Sequence, residues 1–272
     1  MRFSVLMSVY SKANPFHLSR ALSSILDQTV TPDEVVLVKD GPITPELEGV
    51  IQQFSISCPA LRIVTLERNA GLGVALQTGL VECRYDIVAR MDADDICVRN
   101  RFEKQLEILA ADNTVAVVGS AIGEFYDDEN SIAFVRKVPA TYEEVWRVAR
   151  YRNPLNHVTV MFRKDAVMAV GGYQHAPGLE DYYLWVRLLN AGFKIVNIDE
   201  ILVLARTGQS MYSRRGGWSY FRAEFDLQEK FLRMGFIGPA VFLLNVSGRM
   251  LVRLLPNNGR RLVYERFLRL RV

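Results

Sequence analysis

The sequence predicts an α/β protein: a mostly parallel, Rossmann-like central sheet with helices on both faces, followed by a helical, basic C-terminal appendage. Two observations predict the sheet. Short apolar runs alternate with helical patterns through the first half of the chain, which argues for βαβ units. Several of these runs end in polar or acidic residues, and open α/β sheets bind ligands at the carboxyl ends of their strands. A third observation predicts the appendage. Residues 201–272 hold 13 Arg or Lys against 4 Asp or Glu, whereas residues 1–200 hold 20 against 26.

The run 3–9 opens the sheet and ends at Tyr10-Ser11-Lys12. The runs 34–38, 61–66 and 85–91 follow as strands, separated by helical patterns at about 16–27, 45–54 and 72–83. A helix at 99–111 leads to a further strand at 115–119. From 120 to 178 the pattern is mixed, with short strands expected at Phe134–Val138 and Val158–Phe162. Gly178-Leu179 precedes a helix from Glu180 to Ala191, which Gly192 stops at the position just past a helix end. A last strand region spans Lys194–Ala205, and after Gly216-Gly217 the chain turns helical and basic.

A chain of 272 residues, half of them hydrophobic, buries a full core and is not disordered. Cys58, Cys83 and Cys97 show no CxxC spacing, so neither a zinc site nor a disulfide framework is expected, and reduced thiols in a cytosolic protein are. The N-terminus lacks a basic segment followed by a long apolar one, so no signal peptide is expected. No apolar run reaches the length of a membrane span. The basic tail calls for an anionic partner. Its arginines punctuate the apolar stretches Phe236–Val246 and Met250–Leu255, which fits a helix lying in a membrane interface. A helix packed on the domain comes second and nucleic acid last.

Asp92-Ala93-Asp94-Asp95 carries the most chemistry. Three carboxylates at one strand end repel one another, and a divalent cation relieves the repulsion. Mg²⁺ or Mn²⁺ held this way is usually completed by substrate phosphates. A turn running into a helix N-terminus is the competing reading, since Asp caps backbone N–H groups. Asp40 ends the second strand before Gly41-Pro42, where it serves either a base or ribose or an Asx-turn. Arg68-Asn69-Ala70-Gly71 ends the third strand and opens a helix without the Gly-Lys-Ser/Thr of a phosphate loop. Four strand ends with polar clusters, gathered on one edge, point to one nucleotide site. Glu180-Asp181 opens a helix, where acidic residues are favoured in any case, yet a carboxylate there also suits a general base. His157 follows Asn156 before a strand, a place where a lone His is more often structural. Arg206, Arg214 and Arg215 lie in Arg- and Gly-rich segments that suit phosphate contacts, with an ordinary basic loop an equal local reading.

In order, Tyr10, Lys39-Asp40-Gly41, Asn69-Ala70-Gly71-Leu72, Met91–Asp95, Gly171-Gly172-Tyr173 and Glu180-Asp181-Tyr182 resemble the family-2 glycosyltransferases of the GT-A fold over about residues 1–215. Asn153–Phe162 and Gly208–Gly217 are similar to segments of bacterial O-antigen and exopolysaccharide enzymes, among them amylovoran-type glycosyltransferases and galactosyltransferases acting on GlcNAc-diphosphate-undecaprenol. The resemblance implies that Tyr10 and Asp40 contact uridine, with Arg68 and Asn69 near base and ribose. It implies that Asp92 and Asp94 form a DxD pair, with Asp94 the direct metal ligand, and that Asp181 is the base with Glu180 beside it. His157, Arg206, Arg214 and Arg215 fall to the diphosphate or the acceptor. The chain departs from the family pattern at Lys39, where many relatives carry another Asp, and no late His stands around Arg206–Gly208. The expected enzyme is a metal-dependent inverting hexosyltransferase using a UDP-sugar, galactose first and glucose second. Its expected acceptor is GlcNAc or GalNAc on diphosphate-undecaprenol, at the cytoplasmic face of the bacterial inner membrane. A sugar-phosphate nucleotidyltransferase is the alternative, and a non-enzymatic sugar-nucleotide sensor a further rival. The domain then divides into a nucleotide-binding half of about 1–119, an acceptor half of about 120–215 and a membrane-associating tail at 216–272.

Overall fold

The strands that open the chain carry apolar residues on both faces, which fits a sheet covered by helices on each side. The computed structural model of the chain describes residues 1–207, 217–254 and 270–271, with side chains described up to 251. β1 (Phe3–Val9), β2 (Glu34–Lys39), β3 (Leu61–Thr65) and β4 (Ile87–Met91) lie side by side in the order β3-β2-β1-β4, all parallel. The connections α1 (Pro15–Leu26), α2 (Pro45–Ser57) and α3 (Leu72–Glu82) follow the alternation of the sequence. Asn14 and Thr44 cap α1 and α2 with their side chains, and Pro15 and Pro45 begin the helices, where a missing N–H costs nothing.

Two cores form, one on each face of the sheet. Val5, Met7, Val35 and Leu37 pack against Leu18, Leu22 and Ile25 of α1, Leu47 and Ile51 of α2, and Phe102 of α4 (Arg101–Ala111). Leu6, Val36, Val38 and Val88 face the opposite way, onto Ala75, Leu76 and Leu80 of α3 and the helices beyond it. α3 sits so close to the sheet that a Cβ on Gly79 would collide with Leu6 Cδ1.

Beyond β4 the sheet becomes mixed. β5 is the short Ile96–Cys97, and β6 (Val115–Phe125) is fully buried and runs longer than the expected 115–119. β7 (Phe134–Arg136) borders β6. α5 (Tyr142–Ala149) was not anticipated, although Thr141 and Glu144 form a capping box, a signal present in the sequence. The stretch Val158–Phe162, expected as one strand, is corrected. His157–Thr159 is a 3-10 turn, closed by Thr159 N–H and Oγ1 donating to the Asn156 carbonyl. Only Met161–Arg163 forms β8, which enters antiparallel between β4 and β6. α6 (Lys164–Ala169) follows, then α7 (Glu180–Asn190), which ends as expected at Gly192 with φ +85°. β9 (Lys194–Arg206) pairs parallel with β6 and antiparallel with β5.

The C-terminal helices α8 (Trp218–Arg233) and α9 (Pro239–Leu254) pack back on the domain. Leu227, Phe231, Phe236 and Ile237 are buried in the core that holds Tyr182 and Trp185 of α7. The rings of Tyr182 and Phe231 meet edge to face at 5.0 Å. α9 turns Leu243, Leu244, Met250 and Leu251 to solvent. Among the described residues no helix is long and apolar enough to cross a membrane. A last short strand, β10 (Leu270–Arg271), pairs with β7.

Candidate active site

The carboxyl ends of β1, β2, β3 and β4 meet on one edge, because the four strands are parallel. Tyr10 follows β1 with its ring partly exposed. Asp40 follows β2 and is buried. Its two carboxylate oxygens accept the N–H groups of Ala70 (2.7 Å) and Gly71 (3.1 Å), while Asn69 Nδ2 donates to its carbonyl at 3.3 Å. Asp40 thus pins the loop between β3 and α3. Gly41, at φ +82°, permits the contact, since a Cβ there would lie 2.5 Å from Asn69 N. Arg68 and Asn69 are exposed on that loop. Lys39 is committed elsewhere, to Glu48 at 3.0 Å.

The end of β4 carries the charge. Arg90 is buried within an apolar strand and pairs with Asp92 through both terminal nitrogens. Residues two apart share a strand face, so the pairing is local. The ligand atoms of Asp92, Asp94 and Asp95 all lie within 4.8 Å of one another. Asp95 is buried and accepts the Arg206 N–H at 2.8 Å, and Asp94 is the most exposed of the three. Desolvation at this crowded end and the charge of Asp92 raise the Asp94 carboxyl to about 6. Desolvation, then Asp92 and Asp94, hold Asp95 well above the ordinary carboxylate range. Carboxylates that resist ionisation because of burial first and one another's charge second are the chemistry a divalent cation reverses. Asp92 is already neutralised by Arg90 and Asp95 is tied to the backbone, so Asp94 is the carboxylate most open to an ion. Arg101, fully buried in α4, donates to the Arg90 carbonyl at 2.7 Å and fixes the strand end from beneath.

A cavity of about 750 Å³ runs from this strand end, lined by Arg90, Asp92, Asp95, His157 and Arg206, to Glu180 and Asp181 at the start of α7. Asn153 Nδ2 donates to Asp181 Oδ2 at 2.6 Å, which fixes that carboxylate. Glu180 lies against α3, where a Cβ on Gly73 would come within 2.7 Å of its Cγ. Burial raises the Glu180 carboxyl above its usual range. His157 Nε2 is 2.9 Å from the Tyr173 hydroxyl and its ring meets Trp185 edge to face. Burial first, then the charge of Arg90, hold His157 well below the usual histidine range. It therefore faces the cavity as a neutral imidazole that can share hydrogen bonds and brings no positive charge. The Arg206 guanidinium lies over the Phe125 ring at 4.6 Å.

The structure thus brings Asp92, Asp95, His157, Glu180, Asp181 and Arg206 to one cavity. Asp94, Tyr10, Asp40, Arg68 and Asn69 stand along the adjoining strand-end edge. Arg214 and Arg215 lie outside the described residues. Sequence reasoning missed Arg90 and Asn153. The signal for Arg90 was present, since an arginine inside the apolar run 87–91 demands a counter-charge. Asn153 opens one of the segments that carry the resemblance, but nothing local pointed to its hold on Asp181, 28 residues away.

A family model described as Glycosyl transferase family 2 matches residues 4–173. The amylovoran biosynthesis glycosyltransferase AmsE of Erwinia amylovora is 40% identical, over 97% of this chain and 98% of its own length. The UDP-Gal:alpha-D-GlcNAc-diphosphoundecaprenol beta-1,3-galactosyltransferase of Escherichia coli is 38% identical, over 98% of this chain and 97% of its own. Among solved structures, the mannosyltransferase PcManGT from Pyrobaculum calidifontis, in complex with GDP-Man and Mn²⁺, superposes with a TM-score of 0.66 at 18% identity, covering 96% of this chain and 72% of that one. At that identity the likeness speaks for the fold.

Proposed function

This chain belongs to glycosyl transferase family 2 and has a GT-A-like fold, and on that premise we propose that it is an inverting, metal-dependent hexosyltransferase. The donor is a UDP-sugar, galactose first and glucose second. The acceptor is GlcNAc or GalNAc carried on a polyprenyl diphosphate, in the synthesis of an O-antigen or exopolysaccharide. Family membership leaves no support for the nucleotidyltransferase alternative. The observation that carries the reading is the single cavity joining the acidic end of β4 to Asp181.

In this reading Tyr10, Asp40, Arg68 and Asn69 line the nucleoside edge, with Asp40 holding the β3–α3 loop in place. Asp94, with Asp92 beside it, would hold Mg²⁺ or Mn²⁺. Such an ion, when bound, neutralises the diphosphate of the leaving UDP. Arg206 and His157 face the same cavity as phosphate or acceptor contacts. Asp181, oriented by Asn153, takes the proton of an acceptor hydroxyl while that oxygen attacks C1 of the sugar. The C1–O bond to UDP breaks on the opposite face, so one displacement turns a UDP-α-sugar into a β-glycoside. Glu180, its carboxyl raised by burial, is the second candidate for the base.

The exposed apolar residues of α9 and the basic tail support peripheral attachment to an anionic membrane, at the cytoplasmic face where such acceptors and UDP-sugars meet. The test is a screen of UDP-sugars against a synthetic GlcNAc-diphosphate lipid. The expected products are UDP and a β-linked disaccharide lipid, identified by mass spectrometry and by the anomeric coupling in NMR. Release of pyrophosphate from UTP and a sugar phosphate, with no glycoside formed, would overturn the proposal, as would an α-linked product for its inverting course.

A further inference from the structure

The cavity does not stop at Asp181. It continues to α9, where Asn245, Gly248 and Arg249 form its far wall, with Leu244 on the same wall. Arg152 lines it as well and is exposed. Among the described residues its guanidinium makes no hydrogen bond or ion pair, in contrast to Arg90 on Asp92 and Lys137 on Asp199. Arg249 of α9 reaches the loop at the residue before Arg152: its Nη2 donates to the Tyr151 carbonyl at 3.0 Å. Arg249 Nε stands 3.6 Å from Glu224, which lines the cavity too, so Arg249 is held as an ion pair against the loop and leaves Arg152 as the uncompensated charge beside it. The next residue of the loop is Asn153, which holds Asp181. Asn245 secures the same loop by donating to the Arg150 carbonyl at 2.8 Å.

The helix that supplies this wall turns an apolar face outward, with Leu243 and Leu244 each 64% exposed and Leu251 73%. Arg152, with the Glu224-paired Arg249 beside it, therefore stands between the carboxylate assigned to deprotonate the acceptor and an exposed apolar helix face. That order matches a ligand with a sugar at one end, a diphosphate in the middle and a hydrocarbon chain at the other. We propose that Arg152, supported by Arg249, binds the diphosphate of a polyprenyl-diphosphate-linked acceptor, with its sugar toward Asp181 and its chain leaving along α9. This rests on the acceptor class proposed above and assigns its diphosphate to residues other than those facing the donor.

The test is calorimetric binding to the full-length protein of GlcNAc-diphosphate bearing an undecyl chain, with UDP binding as the control. Arg152→Ala should weaken the undecyl ligand about tenfold and leave UDP affinity unchanged, and Arg152→Lys should fall between. Leu243→Ser with Leu251→Ser should weaken the undecyl ligand and spare GlcNAc-diphosphate bearing a methyl group. Affinity within twofold of wild type in Arg152→Ala overturns the site. So does an Arg152→Ala protein that loses binding to phosphatidylglycerol vesicles while keeping the GlcNAc-diphosphate ligand, because the arginine then contacts lipid headgroups. Wild-type protein that binds UDP and not the GlcNAc-diphosphate ligand overturns the acceptor class itself, and this site with it.

Discussion

Arg90 is 2% exposed and pairs with Asp92, which leaves Asp94 as the open member of the acidic cluster. Asp94→Ala should therefore abolish transfer and remove the gain in UDP affinity that Mn²⁺ or Mg²⁺ provides, leaving metal-free affinity nearly unchanged. Calorimetry with and without the ion checks this, and an undiminished metal effect assigns the ion elsewhere. Asp181→Asn keeps shape and the contact with Asn153 but cannot accept a proton. Turnover should fall ~10²–10⁴-fold with UDP binding intact; near-normal turnover moves the base to Glu180. His157 gives a pH signature. The unfolded chain binds the imidazole proton near 6.5 and the folded chain only well below that. As pH falls through 6.5 the unfolded state gains the proton first, so stability is lost on acidification, by up to about 1.4 kcal/mol per pH unit. Above 6.5 both states are neutral and the effect vanishes. Urea unfolding of wild type and His157→Gln between about pH 7.5 and 5.5 should show a flatter dependence in the variant. Equal slopes would mean that His157 is not held neutral.

At the scale of elements, α3 links the two halves of the site, since it begins beside Asp40 and touches Glu180 of α7. Its seat on the sheet depends on Gly79, whose missing side chain admits Leu6 and Val38. Gly79→Ala should cost about 1–3 kcal/mol through overpacking, although alanine by itself favours a helix by roughly 1 kcal/mol. A Cβ added to Gly49 in α2 would meet no atom within 4 Å, so Gly49→Ala should stabilise by about 0.4–1 kcal/mol. Denaturant midpoints of the two variants should thus move in opposite directions, and a shared direction would refute the packing argument. The capping box of α5 explains why an element hidden in a mixed sequence stretch forms where it does. Thr141 and Glu144 satisfy the first turn, and Val145 and Ala149 fall on the buried face.

At the scale of the molecule, the C-terminal helices join the domain core through Phe231, Phe236 and Ile237, so removing them would expose that core. Membrane attachment is better tested at the surface. Replacing Leu243, Leu244 and Leu251 with Glu should release the protein from anionic vesicles in sedimentation while leaving UDP affinity intact. Salt should weaken wild-type binding through the arginines, each contributing ~1 kcal/mol, and leave a fraction held by apolar contact. Equal sedimentation of wild type and variant would place the contact away from α9.

The α/β class, the order of the first strands and helices, the acidic end of β4 and the start of α7 were legible in the sequence alone, because apolar periodicity, caps and adjacent carboxylates are local signals. The tertiary structure decided what no local signal encodes. It tied Asp40 to the loop at Ala70 and Gly71, set Asn153 on Asp181, and packed the half-buried His157 against Tyr173 and Trp185. It inserted β8 between β4 and β6, where the sequence shows only a short apolar run beside a turn. It also folded α8 and α9 onto the core and left one face of α9 open. Each of these depends on partners brought together from tens of residues away, and a chain's periodicity records which face is apolar without recording what that face will meet.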